Sequence, residues 1–239
     1  MKILAVDTST RVGAVGFLDT ESGASAEVNI SIGQTHSQRL LGAIDYLLGV
    51  VECPLREVDT LAVSTGPGSF TGLRIGISIM QGLALAEGKK LTAFSSLEAL
   101  AFNYAGCSHP ICPMIDARRS EVYCGLYRFE GMKLIEEAVE RVAPAAEFVR
   151  LTSDAETVFL GDGAIAYSDI IERGMNCRFV IPAEQNAHVR GASIVRLVEA
   201  MCPLAIDPGD IRPRYLRKSD AELAKRKPRV PTHGCRVDR

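Results

Sequence analysis

Two aspartates each end a strand-like run, where a carboxylate can take part in binding a ligand or cap a turn. Asp7 opens the turn Asp7-Thr8-Ser9-Thr10, and Asp116 opens the turn Asp116-Ala117-Arg118-Arg119. The hydroxyls of the first turn suit a phosphate, whereas the second turn offers arginines and no hydroxyl before Ser120. Two interpretations stay open: residual nucleotide binding across a cleft, or aspartates that cap turns, with Asp116 paired to Arg118 or Arg119.

A glycine-rich loop between a predicted strand and a predicted helix is the second candidate. Its glycines surround Pro67 and permit a tight path with positive φ, and Thr71 is expected to cap the helix. A helix N-terminus suits an anion, but the loop has neither of the common nucleotide fingerprints, so a purely structural turn is the alternative. The candidate cofactor-binding residues are Asp7, Thr8, Ser9, Gly66, Gly68 and Asp116.

Two similar series of elements would position these residues. The pattern of apolar residues predicts strand, strand, strand, helix, strand, helix, strand, helix before a linker at Gly106–Pro110, and the same order after it. This predicts a duplicated α/β domain in which helices pack on a sheet, twice. The expected divisions are an N-terminal subdomain at 1–105, a C-terminal subdomain at 106–218 and a basic, disordered tail at 219–239.

One predicted helix, Leu73–Glu87, carries no charge between Ile75 and Ala86. A helix that is apolar on all sides is buried on all sides, and its own sheet covers one side only. Because glycines let a second backbone approach, we expect a helical interface with another chain, shared with the helix Ser37–Val51. The predicted interface residues are Leu40, Leu41, Ile44, Leu48, Leu73, Arg74, Gly76, Ile77, Met80 and Leu83.

The composition is that of a globular protein, with 47% hydrophobic residues and a formal net charge of −2. We find no signal segment and no apolar run long enough to cross a bilayer, so a cytoplasmic chain with no membrane contact is expected. The seven cysteines form no C-x-x-C pair, which predicts reduced thiols. From Arg212 to Arg239, ten Lys and Arg stand against three Asp and Glu; this tail either contacts phosphates or is simply solvated.

Seven segments in order are similar to the successive signature motifs of bacterial TsaB (YeaZ-type) proteins, over roughly residues 1 to 218. The segments are Ile3–Thr10, His36–Leu41, Gly66–Gly76, Ser95–Leu100, Ile115–Arg119, Gly161–Ala164 and Arg214–Arg217. The resemblance implies an actin/Hsp70/sugar-kinase-like (RNase H-like) fold of two duplicated subdomains. It also implies a part in making threonylcarbamoyladenosine beside the tRNA anticodon.

The resemblance further implies partners: a catalytic TsaD-type paralogue, a TsaE-type ATPase, and a second copy of the chain when the paralogue is absent. Contact with tRNA, and any ATP, would come through the complex. The paralogue binds a metal with an H-x-x-x-H pair, but here Ser96 and Leu100 occupy the comparable places, and the four histidines are scattered. We therefore expect a non-catalytic subunit with no metal and no cofactor of its own. The alternatives are an M22-like metallopeptidase or a small-molecule kinase of the same fold.

Overall fold

A computed structural model describes residues 1–31, 36–183 and 187–217, and for 36–38 it describes the backbone only. The predicted basic tail at 219–239 lies outside the described residues. The first half contains β1 (Lys2–Asp7), β2 (Val12–Asp19), β3 (Ser25–Ser31), α1 (His36–Val50), β4 (Thr60–Gly66), α2 (Phe70–Ala86), β5 (Leu91–Ser95) and α3 (Ser96–Ala101). The second half contains β6 (Ile111–Arg118), β7 (Glu121–Glu130), β8 (Lys133–Pro144), α4 (Ala145–Thr152), β9 (Thr157–Leu160), α5 (Asp162–Ala166), α6 (Ser168–Gly174), β10 (Phe179–Val180), α7 (Gly191–Met201) and β11 (Ala205–Ile206).

The strands form two sheets that repeat one topology. The first has the order β11-β5-β4-β1-β2-β3 and the second the order β10-β9-β6-β7-β8. In each sheet the first strand pairs antiparallel with the second and parallel with the fourth. The first strands read as continuous apolar runs because helices cover both of their faces. The predicted α/β class with two duplicated subdomains is confirmed.

The helices fill three layers around the two sheets. Helices α1 and α2 cover the outer face of the first sheet, and α4 and α6 pack in the core of the second sheet. Between the sheets, α3 and α7 share one continuous apolar cluster with strands of both lobes, which includes Ile3, Leu97, Tyr127 and Ile194. A core common to both lobes fixes their relative position, because any opening exposes apolar surface.

The subdomain boundary differs from the expected division at 105/106. Helix α7 packs on β1 and β2 of the first sheet, and Ala205–Ile206 adds a sixth strand to that sheet, antiparallel to β5. The chain therefore returns to the first lobe before residue 191, and the segment 106–218 is not one lobe. An apolar stripe predicts that a helix is covered but not which sheet covers it, so the sequence pattern missed this return.

The helices of the described residues give no candidate for a bilayer span.

Candidate functional site

The turn at the end of β1 is closed by the glycine-rich loop. Asp7, Thr8 and Ser9 are each exposed by no more than 1%. The Thr8 hydroxyl donates to the carbonyl of Gly72 over 2.8 Å, and the Ser69 N–H donates to the carbonyl of Ser9 over 2.6 Å. The Thr8 hydroxyl, which could have donated to a phosphate, is thus used within the protein.

The glycines of the loop are explained by this close approach. A Cβ at Gly68 would overlap the carbonyl of Ser9, and one at Gly72 would overlap the carbonyl of Thr8. Gly68 also has a φ of +155°. The cap of the following helix is Ser69, whose hydroxyl accepts from the Gly72 N–H over 3.2 Å, and not Thr71 as the sequence suggested. Packing of backbone on backbone accounts for Gly68 and Gly72, and anion binding by the loop stays a prediction.

Asp7 itself is buried without a cation. Its Oδ1 accepts from the N–H and the hydroxyl of Ser9 at 3.1 and 2.9 Å, while its Oδ2 is buried with no hydrogen-bond partner among the described residues. Burial raises the pKa of the Asp7 carboxyl, and the hydrogen bonds oppose that rise only in part. Removal of a carboxylate from water disfavours its charged form, which is the physical cause.

Asp116 lies at the end of β6 and is exposed. Its Oδ1 accepts from the Arg118 N–H over 2.8 Å and from the Tyr167 hydroxyl over 3.3 Å, and its own N–H donates to Asp162 over 3.0 Å. It therefore caps the turn before β7, and its partner at Arg118 is the backbone rather than the guanidinium. Asp7 and Asp116 thus both have hydrogen-bond partners within the chain, and nucleotide binding by the six candidate residues stays a prediction.

Ser96 and Leu100, the two positions compared above with the H-x-x-x-H pair, are core side chains in this structure. Ser96 is fully buried and its hydroxyl lies 2.9 Å from that of Ser64, while Leu100 is 1% exposed within the central apolar cluster. Among the described residues, no three His, Cys, Asp or Glu side chains are grouped so as to hold a metal ion. The start of α3 therefore contributes to packing here.

A buried carboxylate joins the two lobes. The Glu140 side chain on β8 is 2% exposed, and its Oε1 accepts from the Tyr127 hydroxyl over 2.6 Å and from the Ser95 hydroxyl of the first lobe. Its Oε2 accepts from Arg214 over 2.7 Å, and the N–H of Arg214 donates to the carbonyl of Thr65 over 2.7 Å. This Glu140 latch satisfies a buried charge with one cation and two hydroxyls.

The predicted interface residues divide into two groups in the structure. Leu40, Ile44, Leu73, Gly76, Ile77 and Met80 are buried in the chain's own core. Leu41 is 49% exposed, Leu48 and Leu83 are half-buried, and Arg74 is exposed. The Leu73/Ile77/Met80 stripe was assigned to the wrong side of α2: it packs on the chain's own sheet, so those side chains face no partner.

The side of α2 that faces outward is the opposite stripe, Ile75, Ile79, Gly82 and Ala86, which is half-buried or exposed. Beside it, α1 and α2 border a groove of about 760 Å³ whose lining includes Leu41, Leu48 and Leu83. We call this groove together with the outward stripe the α1–α2 face. It also carries Gly42, Gly49 and Gly82, at which an added Cβ would meet no atom within 4 Å.

Within the part of the chain that the structure describes, no packing contact explains these glycines. Glycine in a helix interior costs roughly 1 kcal/mol relative to alanine, and here no neighbouring atom of the chain requires it. Glycines on adjacent helices leave room for the backbone of another helix, as they do wherever helices pack closely. The α1–α2 face thus presents apolar side chains and unhindered glycines to solvent in the described chain.

The comparisons with known proteins agree with this architecture. A model of the family described as "TsaD: tRNA N6-adenosine threonylcarbamoyltransferase" matches residues 30–225. The tRNA threonylcarbamoyladenosine biosynthesis protein TsaB of Bacillus subtilis is 30% identical over 224 residues, which cover 93% of this chain and 96% of that protein. The chain belongs to the TsaB family.

Other relatives agree with membership of the TsaB family. The TsaB protein of Escherichia coli is 33% identical over 176 residues, covering 71% of this chain and 75% of its own. The solved structure of YeaZ from Pseudomonas aeruginosa superimposes with a TM-score of 0.74 at 27% identity, covering 90% of this chain and 99% of that one. The names of the TsaB relatives place the family in the biosynthesis of threonylcarbamoyladenosine in tRNA.

Sequence reasoning missed the Glu140 latch of this TsaB-family chain. Glu140 lies in a strand rich in charged residues, Glu136 to Arg141, where solvent exposure is the ordinary expectation. The only signal was its place two residues before an apolar pair, and that does not distinguish an edge residue from an inter-lobe residue. The contact depends on segments far apart in the chain, so it becomes visible only after folding.

Proposed function

We propose that this chain is a non-catalytic subunit in the threonylcarbamoylation of the adenosine next to the tRNA anticodon. It acts by docking its α1–α2 face onto a catalytic TsaD-type paralogue, and a TsaE-type ATPase completes the assembly. In the absence of the paralogue the same face accepts a second copy of the chain. Membership of the TsaB family supports the pathway, and the α1–α2 face supports the mode of action.

The observation that carries the docking proposal is the pairing of an apolar groove with unexplained glycines. Leu41 is exposed by 49% and Leu85, at the end of α2, by 66%, on helices whose inner sides are fully packed. Covering such side chains removes apolar surface from water, which favours assembly. The sealed Asp7–Ser9 turn and the packed Ser96 and Leu100 support the non-catalytic part of the proposal.

The test is assembly with the purified paralogue, measured by analytical ultracentrifugation for the wild type and for Leu41→Arg and Ile79→Arg. A charge forced into the desolvated centre of an interface is expected to weaken assembly at least tenfold, about 1.4 kcal/mol. Formation of threonylcarbamoyladenosine in the reconstituted system should fall in parallel.

The matched controls are Leu151→Arg and Met132→Arg, which make the same change at side chains exposed by 55% and 54% on the second lobe. Both should assemble like the wild type. Loss of assembly in the controls as well, or normal assembly of both α1–α2 variants, would contradict the proposed face. Turnover of a substrate by the chain alone would contradict the non-catalytic role. Substitution of the buried Leu73 or Met80 would test folding rather than docking.

A further inference from the structure

The last described segment, residues 208–217, runs along α2 and ends beside the second lobe. Gln81 donates from Nε2 to the carbonyl of Pro208 over 2.5 Å and to that of Ile211 over 3.2 Å. At the other end, Arg217 donates from Nη1 to the carbonyl of Ala117 over 2.9 Å and pairs with Glu121 at 3.2 Å. The segment thereby runs from α2 to the β6–β7 turn, and it places Arg212 near one end of this path.

An aromatic pair sits in the middle of this line. Phe70 and Tyr215 stack with their ring centroids 4.8 Å apart, and the Arg74 guanidinium lies 3.9 Å from the centroid of Phe70. Arg74 also donates from Nε to the Tyr215 hydroxyl over 3.0 Å. Tyr215 is 40% exposed and Arg74 is exposed, so a planar cation and an aromatic ring face solvent side by side.

Among the described residues, three arginines of this line have no carboxylate partner, whereas Arg214 and Arg217 of the same segment pair with Glu140 and Glu121. Arg74, Arg118 and Arg212 are exposed, and within the described ranges none of them has a carboxylate oxygen within 4.0 Å. On the second lobe, by contrast, Arg128 pairs with Glu137 at 2.8 Å and Arg141 with Glu147 at 2.6 Å. The line is a positive strip on a chain whose first 211 residues carry an excess of acidic side chains.

We propose that this arginine strip, formed by Arg212, Arg74, Tyr215 and Arg118, binds RNA by its phosphate backbone. Gln81 contacts Ile211, the neighbour of Arg212, and lies seven residues along α2 from Arg74. The two ends of the strip on α2 are therefore roughly 10 Å apart at 1.5 Å per residue. The strip is therefore long enough for successive phosphates. Guanidinium groups match phosphate oxygens in pairs, and an exposed tyrosine offers a face on which a base can stack. An acidic polypeptide would use the charges but not the ring, which favours RNA.

The strip lies beside the α1–α2 face, since α2 contributes Arg74 to one and Ile79 to the other. RNA bound on the strip would therefore reach the docked subunit as well. The choice of tRNA as the RNA rests on the proposed function, whereas the strip itself rests on the contacts and charges above. The docking proposal and the RNA-binding proposal can be refuted independently, because the first concerns assembly with the paralogue and the second concerns affinity for RNA.

The test measures binding of an in vitro transcribed tRNA to the full chain, alone and with its paralogue, by fluorescence anisotropy over a series of salt concentrations. In Arg118→Glu/Arg212→Glu, affinity should fall at least tenfold, and the slope of log K against log salt should become shallower by about 2, one unit for each lost phosphate contact. The milder Arg118→Gln/Arg212→Gln should show the same loss in weaker form, with an unchanged melting temperature.

The matched control is Arg150→Glu/Arg178→Glu, which makes the same change of charge at exposed arginines of the second lobe. Its affinity should change less than twofold. Equal losses in both double variants, no loss in the strip variants, or no binding by the wild type would overturn the proposal. If the strip variants instead lost assembly with the paralogue and kept RNA affinity, the strip would be a protein contact. If both Leu41→Arg and Ile79→Arg assemble normally while the strip variants lose RNA, the docking face is wrong and the strip stands.

Discussion

At the scale of single residues, the two strand-end aspartates share a chemical type but have different environments. Asp7 is sealed under the glycine-rich loop with the N–H and the hydroxyl of Ser9 as partners, whereas Asp116 is exposed and caps a hairpin turn. The type of residue and its place at a strand end were visible in the sequence. Burial was not, because it depends on a loop that begins near residue 66. The raised pKa of the Asp7 carboxyl is therefore a product of the fold.

This environment predicts a pH dependence for Asp7→Asn. Because the folded-state pKa of Asp7 is raised above its ordinary value of 3.8, the folded protein holds this proton more tightly than the unfolded chain does. The free energy of unfolding should therefore fall as pH rises from about 4 through the raised pKa, by about 1.4 kcal/mol per unit of pKa shift. Asp7→Asn lacks this loss, so the variant should gain stability over the wild type as pH rises.

Urea unfolding of both proteins from pH 4 to pH 8 measures the difference. Other carboxyls with raised pKa values, such as Glu98 and Asp162, contribute equally to both proteins and cancel. Parallel pH profiles for wild type and variant would show that burial of Asp7 does not perturb its ionisation.

At the scale of elements, α2 contains glycines of two kinds. Gly72 and Gly76 are buried against the Asp7–Ser9 turn, where an added Cβ would overlap Thr8. Gly82 lies on the outward stripe with nothing within 4 Å. The sequence showed all three in a charge-free helix and predicted a helix covered on two sides. It did not show which stripe faces the sheet, because both stripes are apolar.

The two kinds of glycine predict opposite effects of one substitution. Gly72→Ala should lower the free energy of unfolding by about 2 to 3 kcal/mol, since overpacking against backbone cannot be relieved by a side-chain movement. Gly82→Ala should raise it by about 1 kcal/mol in the isolated chain, through helix propensity alone. Thermal and urea unfolding measure both values. Equal effects at the two positions would contradict the packing described for α2.

The Gly82→Ala variant also separates the stability of the chain from its assembly with the paralogue. Gly82→Ala narrows the room for a partner helix on the α1–α2 face, so assembly with the paralogue should weaken although the chain itself becomes more stable. Tighter assembly of this variant would mean that no close helix contact forms at residue 82.

At the scale of the whole molecule, the lobes are held together by a shared apolar layer and by the Glu140 latch. The latch joins β8 of the second lobe to the start of α3 and, through Arg214, to the C-terminal segment that also carries Tyr215 of the arginine strip. Lobe position and strip geometry are thus coupled through one carboxylate. A substitution at Glu140 should therefore alter both the relative position of the lobes and the geometry of the strip.

Glu140→Ala should lower the free energy of unfolding by about 2 to 4 kcal/mol, because it leaves two buried hydroxyls and a cation without their partner. Because Arg214 is 47% exposed, solvent screens its pairing with Glu140, and a loss in the lower part of that range is expected. The control Glu137→Ala, on the same strand, removes a surface ion pair with Arg128 and should cost less than about 1 kcal/mol. Urea unfolding measures both, and similar values for the two variants would show that the latch contributes nothing beyond a surface pair.

The sequence by itself determined the α/β class, the duplication, the run of elements and the family, because these follow from local apolar periodicity and from ordered motifs. It also predicted that α2 is covered on two sides, of which the structure shows the inner one. Only the tertiary structure decided which side packs inward, that the phosphate-like turn is sealed, that α7 and β11 return to the first lobe, and that Glu140 is buried. Each of these depends on contacts between segments far apart in the chain, and neither periodicity nor residue type records which distant surface a side chain will meet.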